Sequence, residues 1–243
     1  MQLVKGVYFW VMGFLVTFVM FLACLASHLK VVALRRPRDG RAEHRKALIW
    51  GRLLIRFMPG WQIEVLGREN LPAPDVTMVM VANHESFADI WAMCYLDIQF
   101  RWLSKESIFR LPMIGHAMRW ANYVPVERGR KNSTHAAMQA SAMRLRQGLS
   151  MFYFPEGTRS VDGHLRPFKL GAFKLARDEN TPVLPIAIHG AAGLLPKHAW
   201  IPGRARVAIT ILPLLPPPAA QEDLTAYAAM VREKIAAVHS QMV

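Results

Sequence analysis

Between Gly6 and Leu29 the chain reads GVYFWVMGFLVTFVMFLACLASHL, with no charged residue. At about 1.5 Å of rise per residue, a helix over 6–29 is long enough to cross a hydrocarbon core about 30 Å thick. The next periodic stretch, 42–58, sets Leu48, Ile49, Trp50, Leu53, Leu54, Ile55 and Phe57 among lysines and arginines. That pattern predicts a basic amphipathic helix, lying in a membrane interface or packed on a domain with its charged face solvated. From residue 59 onward the pattern changes. DVTMVMVAN is a nearly continuous apolar run rich in β-branched residues, as in a strand buried on both faces of a parallel sheet. FADIWAMCYL then reads as a helix, FRWLSK and NYVPVER as short strands, and NSTHAAMQASAMRLRQG as a helix with a polar start and Gly148 as its stop. LSMFYFPEG is a strand ending in a turn, GAFKLARDEN a short helix, and PVLPIAIHG and RARVAITIL are two further strands. QEDLTAYAAMVREKIAAVHSQM closes the chain as a helix, with Glu222 and Asp223 expected in its first turn, where the helix dipole favours them. Alternating strands and helices predict an α/β fold with a mostly parallel central sheet flanked by helices, preceded by an N-terminal membrane-associated helical segment. The division expected is 1–58 for the anchoring helices and 59–243 for the α/β domain. No internal repeat is visible.

Composition sharpens the membrane reading. The 243 residues carry a formal net charge of +13 with 53% hydrophobic residues. Lys30, Arg35, Arg36, Arg38, Arg41, Arg45, Lys46, Arg52 and Arg56 follow the apolar run, opposed only by Asp39 and Glu43. Such a cluster stays on the cytoplasmic side and is attracted to an anionic leaflet. The apolar run is too long for a usual signal-peptide core, and no clear small-residue cleavage site follows it. Cys24 and Cys94 offer no disulfide framework and no thiolate metal site, consistent with a reducing compartment. A bare membrane- or nucleic-acid-binding module is compatible with the charge, but no nucleic-acid-binding motif is present.

The candidate chemistry sits where predicted strands end. VANHESFADI places His84 in a strand-to-helix turn and Asp89 early in the helix. A carboxylate holding one imidazole nitrogen fixes the tautomer and leaves the other as a base. The bland alternative is a turn histidine beside a helix-capping aspartate. FPEGTRS, 154–160, follows another strand: Pro155 and Gly157 suit a tight turn, Thr158 adds a hydroxyl, and Arg159 offers a planar fork for an anion such as phosphate. Glu156 would accept from a substrate hydroxyl or hold Arg159. A metal hydrolase built on His84 and Glu85 lacks the second histidine of H-E-x-x-H. The other histidines, among them His189 and His239, show no partner pattern and read as packing or surface residues. The 14 Met and 7 Trp read as core and interface residues.

NHESFAD followed by FPEGTRS resembles the glycerolipid acyltransferases, specifically the bacterial 1-acyl-glycerol-3-phosphate acyltransferases. LSKESIFRLPMIGHAM, YVPVERG and VLPIAIHG fall between and after them in the family's order, so the resemblance covers roughly residues 70 to 190. The resemblance implies acyl transfer from acyl-CoA or acyl carrier protein to the free hydroxyl of lysophosphatidic acid at a cell (inner) membrane, active site cytoplasmic, with no cofactor and no metal. It implies His84 as general base, Asp89 as its orienting carboxylate, and Lys105, Arg128, Glu156, Gly157, Thr158 and Arg159 around the glycerol phosphate. PVER departs from the family's usual second block, and Pro125 in a strand points to an edge or bulge. The same chemistry on a lyso-ornithine lipid or a lysophospholipid is the alternative.

Overall fold

The computed structural model describes residues 2–127, 129–160, 164–194 and 203–241. Arg128 lies outside them. Two long helices come first, α1 (Gln2–Ala33) and α2 (Arg41–Arg56). The strands are β1 (Trp61–Leu66), β2 (Val79–Ala82), β3 (Arg101–Lys105), β4 (Val124–Val126), β5 (Met151–Tyr153), β6 (Val183–His189) and β7 (Ala205–Ile211). Between and after them lie α3 (Asp89–Ala92), α4 (Ile114–Trp120), α5 (Lys131–Arg146), α6 (Gly171–Asp178) and α7 (Leu224–Gln241).

The strands form one seven-stranded sheet in the order β1-β7-β6-β2-β5-β3-β4. All neighbours are parallel except β6 and β7. The central strands are apolar at every position because both faces are covered. Met80, Ala82 and Phe152 point into a cluster with α1, α2 and α3, while Val79, Val81, Met151 and Tyr153 point into a second cluster with α5, α6 and α7. β4 is an edge strand paired only with β3, a position that tolerates Pro125 because one side of the strand has no neighbour.

Local chemistry sets the element ends. Gly148 adopts φ +72° after α5, and the Leu149 N–H returns to the Arg144 carbonyl, closing the helix as a left-handed C-terminal glycine does. Glu222 and Asp223 lie before α7 and not in its first turn. Asp223 Oδ1 accepts the Thr225 N–H at 2.8 Å, so it caps the helix.

α1 is not a detached anchor. Phe9, Val16, Met20 and Cys24 form a buried stripe continuous with Trp61 and Trp91 of the α/β portion. Tyr8 Oη donates to the Phe57 carbonyl, Trp50 Nε1 donates to Thr17 Oγ1, and His28 stacks on Trp120. The outer face of α1, with Val7, Trp10, Val11, Phe14 and Phe18, is apolar and exposed. α2 packs Leu48, Leu54 and Ile55 inward and leaves Arg41, Arg45 and Arg56 exposed.

Candidate active site

β2, β5, β3 and β4 run parallel, so their carboxyl ends share one edge of the sheet. The turn bearing His84 leaves β2, the 154–160 loop leaves the adjacent β5, and Lys105 ends β3 one strand further on. At about 4.8 Å between strands, Lys105 stands about 10 Å across the sheet from the His84 strand. Ligands of open α/β sheets bind outside this edge.

His84 Nδ1 lies 2.7 Å from Asp89 Oδ2. Asp89 is fully buried, and the same oxygen also accepts the N–H groups of Glu85 and Ser86 at 2.8 and 2.9 Å. Three donors converge on Oδ2, while Oδ1 is buried without a hydrogen-bond partner. Burial pushes the Asp89 carboxyl above its ordinary value, against the pull of His84 and the Ser86 N–H. With Nδ1 against a carboxylate, that nitrogen carries the hydrogen and Nε2 is the acceptor. The imidazole stacks on Phe154, centroids 4.0 Å apart and planes at 12°, and Phe154 in turn stacks on Trp102. His84 is therefore held as a flat, oriented ring.

The 154–160 loop grips the backbone of His84. Glu156 Oε1 accepts the His84 N–H at 2.8 Å, and the Ser160 N–H donates to the His84 carbonyl at 2.9 Å. The other oxygen of Glu156 accepts the Arg166 N–H at 3.0 Å. Glu156 is 3% exposed, so in place of a substrate hydroxyl or the Arg159 guanidinium its carboxylate joins two backbone segments. Burial raises its carboxyl, while those two N–H groups and nearby His84 oppose the rise. Glu156→Gln keeps the shape but turns one acceptor into a donor facing a backbone N–H. A loss of about 1–3 kcal/mol is expected, read as a lowered denaturation midpoint.

Gly157 sits at φ +72°, and its N–H donates to the Phe154 carbonyl. A Cβ at Gly157 would lie 2.5 Å from Lys169 Nζ, so the absence of a side chain admits that ammonium to the turn. Thr158 is exposed and its hydroxyl donates to the Arg159 carbonyl; Arg159 is half-buried, next to the Ser160 that holds His84. Lys105 is exposed. The sequence pattern does not single out Lys169. Asn83, which opens the NHESFAD block, exchanges side-chain hydrogen bonds of 2.7 and 2.8 Å with the Ile188 backbone and pins the end of β2 to β6. A polar residue ending an apolar strand is the signal that marks Asn83.

A largely apolar cavity of about 150 Å³ is lined in part by residues that neighbour the dyad in the chain. Phe87 of the His84 turn and Ile90 of α3 border it, with Met20, Phe21 and Cys24 of α1, Ala47, Leu48 and Trp50 of α2, and Ile114 and Met118 of α4. The sequence gives no sign of it, because its walls come from segments far apart in the chain.

Residues 62–189 match the family model described as Acyltransferase. The chain is 36% identical over 193 residues to the chloroplastic 1-acyl-sn-glycerol-3-phosphate acyltransferase of Arabidopsis thaliana, covering 79% of this chain and 53% of that one. It is 30% identical over 238 residues to the human alpha form, covering 97% of this chain and 82% of that one. The crystal structure of the 1-acyl-sn-glycerophosphate acyltransferase PlsC from Thermotoga maritima superposes with a TM-score of 0.78 at 26% identity, covering 98% and 95% of the two chains. The chain spans 53% to 64% of the length of the plant and algal relatives it matches. On the match over the strands that carry His84 and the 154–160 loop, and on the alignment with the human relative along nearly its full length, the chain belongs to the acyltransferase family that includes the 1-acyl-sn-glycerol-3-phosphate acyltransferases.

Proposed function

We propose that the chain transfers a fatty acyl group from acyl-CoA or acyl carrier protein to the free hydroxyl of 1-acyl-glycerol-3-phosphate, giving phosphatidic acid. The observation that carries this reading is the triple tether of one histidine: Nδ1 on Asp89, N–H on Glu156 and carbonyl on Ser160. In this mechanism the acceptor hydroxyl attacks the thioester carbonyl as His84 Nε2 takes its proton, an effect worth about 10² to 10⁴ in rate. The imidazolium returns that proton to the departing thiolate, so no acyl-enzyme forms. Buried Asp89 stabilises the imidazolium in between. The Gly157 and Ser160 amides are already bonded within the protein, which makes the Thr158 and Arg159 amides the proposed donors to the carbonyl oxygen in the transition state.

Arg159, Lys105 and Arg128 are proposed to grip the acceptor phosphate, joined by Lys169, whose ammonium lies over the 157 turn. The cavity suits an acyl chain, because it is lined mostly by carbon and one wall is Phe87, from the same turn that carries His84. α1 contacts the domain from Tyr8 to His28, about 30 Å of helix, so we read it as lying in one leaflet with its exposed apolar face among the lipid chains. The basic residues of 30–56 then hold the active site against an anionic surface.

The test is an acyl-transfer assay with purified protein, comparing lysophosphatidic acid with its unphosphorylated and ornithine-based counterparts. Preference for the phosphorylated acceptor is expected, and Arg159→Ala is expected to raise the KM for it by about 10-fold or more while kcat changes less. An acceptor dependence unchanged by that substitution would assign Arg159 a structural part, and preference for an ornithine lipid would replace the acceptor.

A further inference from the structure

Three segments meet on the carboxyl edge of the sheet, on the β6 side of the dyad. Glu85 follows β2, His189 ends β6, and His239 comes from the last turn of α7. One oxygen of Glu85, Oε2, accepts the N–H groups of Ala191 and Ala192 at 3.0 and 3.4 Å. That fixes the carboxylate and turns Oε1 toward the imidazoles, with His239 Nε2 at 2.6 Å. The rings of His189 and His239 lie edge to face, centroids 4.9 Å apart. His189 Nδ1 is buried with no hydrogen-bond partner. One donor atom from each of the three residues falls within 4.8 Å of the others.

We propose that Glu85, His189 and His239 form a binding site for a divalent transition-metal ion of the zinc class, stapling the C-terminal helix to the sheet edge. Two imidazoles and one carboxylate are borderline donors that suit zinc, cobalt or iron(II) better than magnesium or calcium. Bonds of about 2.0–2.2 Å set tetrahedral ligands about 3.3 Å apart, so the ion enters between Glu85 and His239 and draws the third donor inward. The Ala191 and Ala192 amides then support the ligating carboxylate from behind, as outer hydrogen bonds do in such sites. Three protein ligands leave one position for water. The ion also reaches the dyad indirectly, because the Glu85 N–H donates to Asp89 Oδ2. This site does not depend on the acyl-transfer reading.

The experiment uses the full chain in detergent, stripped with a chelator and titrated with Zn²⁺, then with Co²⁺ as a spectroscopic probe. One equivalent of Zn²⁺ is expected to bind saturably and raise the melting temperature by several degrees. Co²⁺ is expected to give the visible absorption of a low-coordinate nitrogen and oxygen site. In His189→Ala and in His239→Gln the affinity should fall by at least about 10-fold, the loss seen when even an outer partner is removed. His239→Gln retains a donor for Glu85, so an unchanged metal-free melting temperature separates loss of a ligand from loss of fold. Absence of saturable binding in the unaltered chain, or binding by either variant as tight as that of the unaltered chain, would reduce the cluster to a hydrogen-bonded histidine and glutamate pair and overturn the proposal.

Discussion

His84→Ala is expected to lower acyl transfer by about 10² to 10⁴ at saturating acceptor, with lipid association unchanged. The substitution removes the nitrogen proposed to take the hydroxyl proton and leaves the loops around it tethered, because Glu156 and Ser160 bind the backbone of residue 84 and not its ring. It forfeits the stack on Phe154 and one of three donors to Asp89, so the denaturation midpoint should fall modestly. The apolar face of α1 and the basic residues of α2 are untouched, so vesicle flotation should match the unaltered chain. Equal turnover by the variant would end the case for His84 as base. Lost turnover together with lost vesicle binding would instead mean that the turn holds the membrane-facing helices in place.

The parts of this molecule legible in its sequence are those whose burial is symmetrical or whose ends carry their own punctuation. VMVA and VLPIAI are apolar at every position because both faces are covered, and that pattern points to the interior of a parallel sheet. Pro125 marks β4 as an edge, and Gly148 stops α5. WQIEVL, by contrast, alternates buried and exposed positions over a single short edge strand, and its partner β7 lies far along the chain. Ile114–Trp120 follows a proline in what reads as an apolar loop, yet it becomes helical because its inner face roofs the cavity. The sheet is mostly parallel, as expected; which pair departs from that, β6 with β7, is not marked in the sequence, and among the described residues only the short helical turn Ala191–Gly193 and no crossover helix lies between them. In the site, the His84 and Asp89 pair is legible because five positions of spacing fold back within one turn. The carboxylate of Glu156 is not, because it closes on backbone 72 residues away. Its side chain suggests chemistry, whereas its geometry assigns it to scaffolding.

Asp89→Asn separates the electrostatic work of the carboxylate from its structural work. The amide oxygen of asparagine can accept the same three donors that converge on Oδ2, so the His84 ring should keep its place and its tautomer. A neutral amide cannot stabilise the imidazolium of the proposed mechanism, and kcat is expected to fall by about 10²-fold or more with little change in acceptor KM. Stability should move differently. Burial holds the Asp89 carboxyl above its ordinary value of 3.8, so the folded chain binds this proton more tightly than the unfolded chain. Across the window from that value up to the raised folded one, the native protein loses stability as pH rises, because the unfolded carboxyl ionises first. The asparagine variant has no proton to lose there. Its melting temperature relative to the native chain should therefore climb as pH is raised above about 4. Thermal melts of both proteins across that range read the difference directly, free of the other carboxylates they share. A difference that stays flat or falls with pH would mean that the hydrogen bonds to Oδ2, and not the desolvation of the buried carboxylate, govern its ionisation.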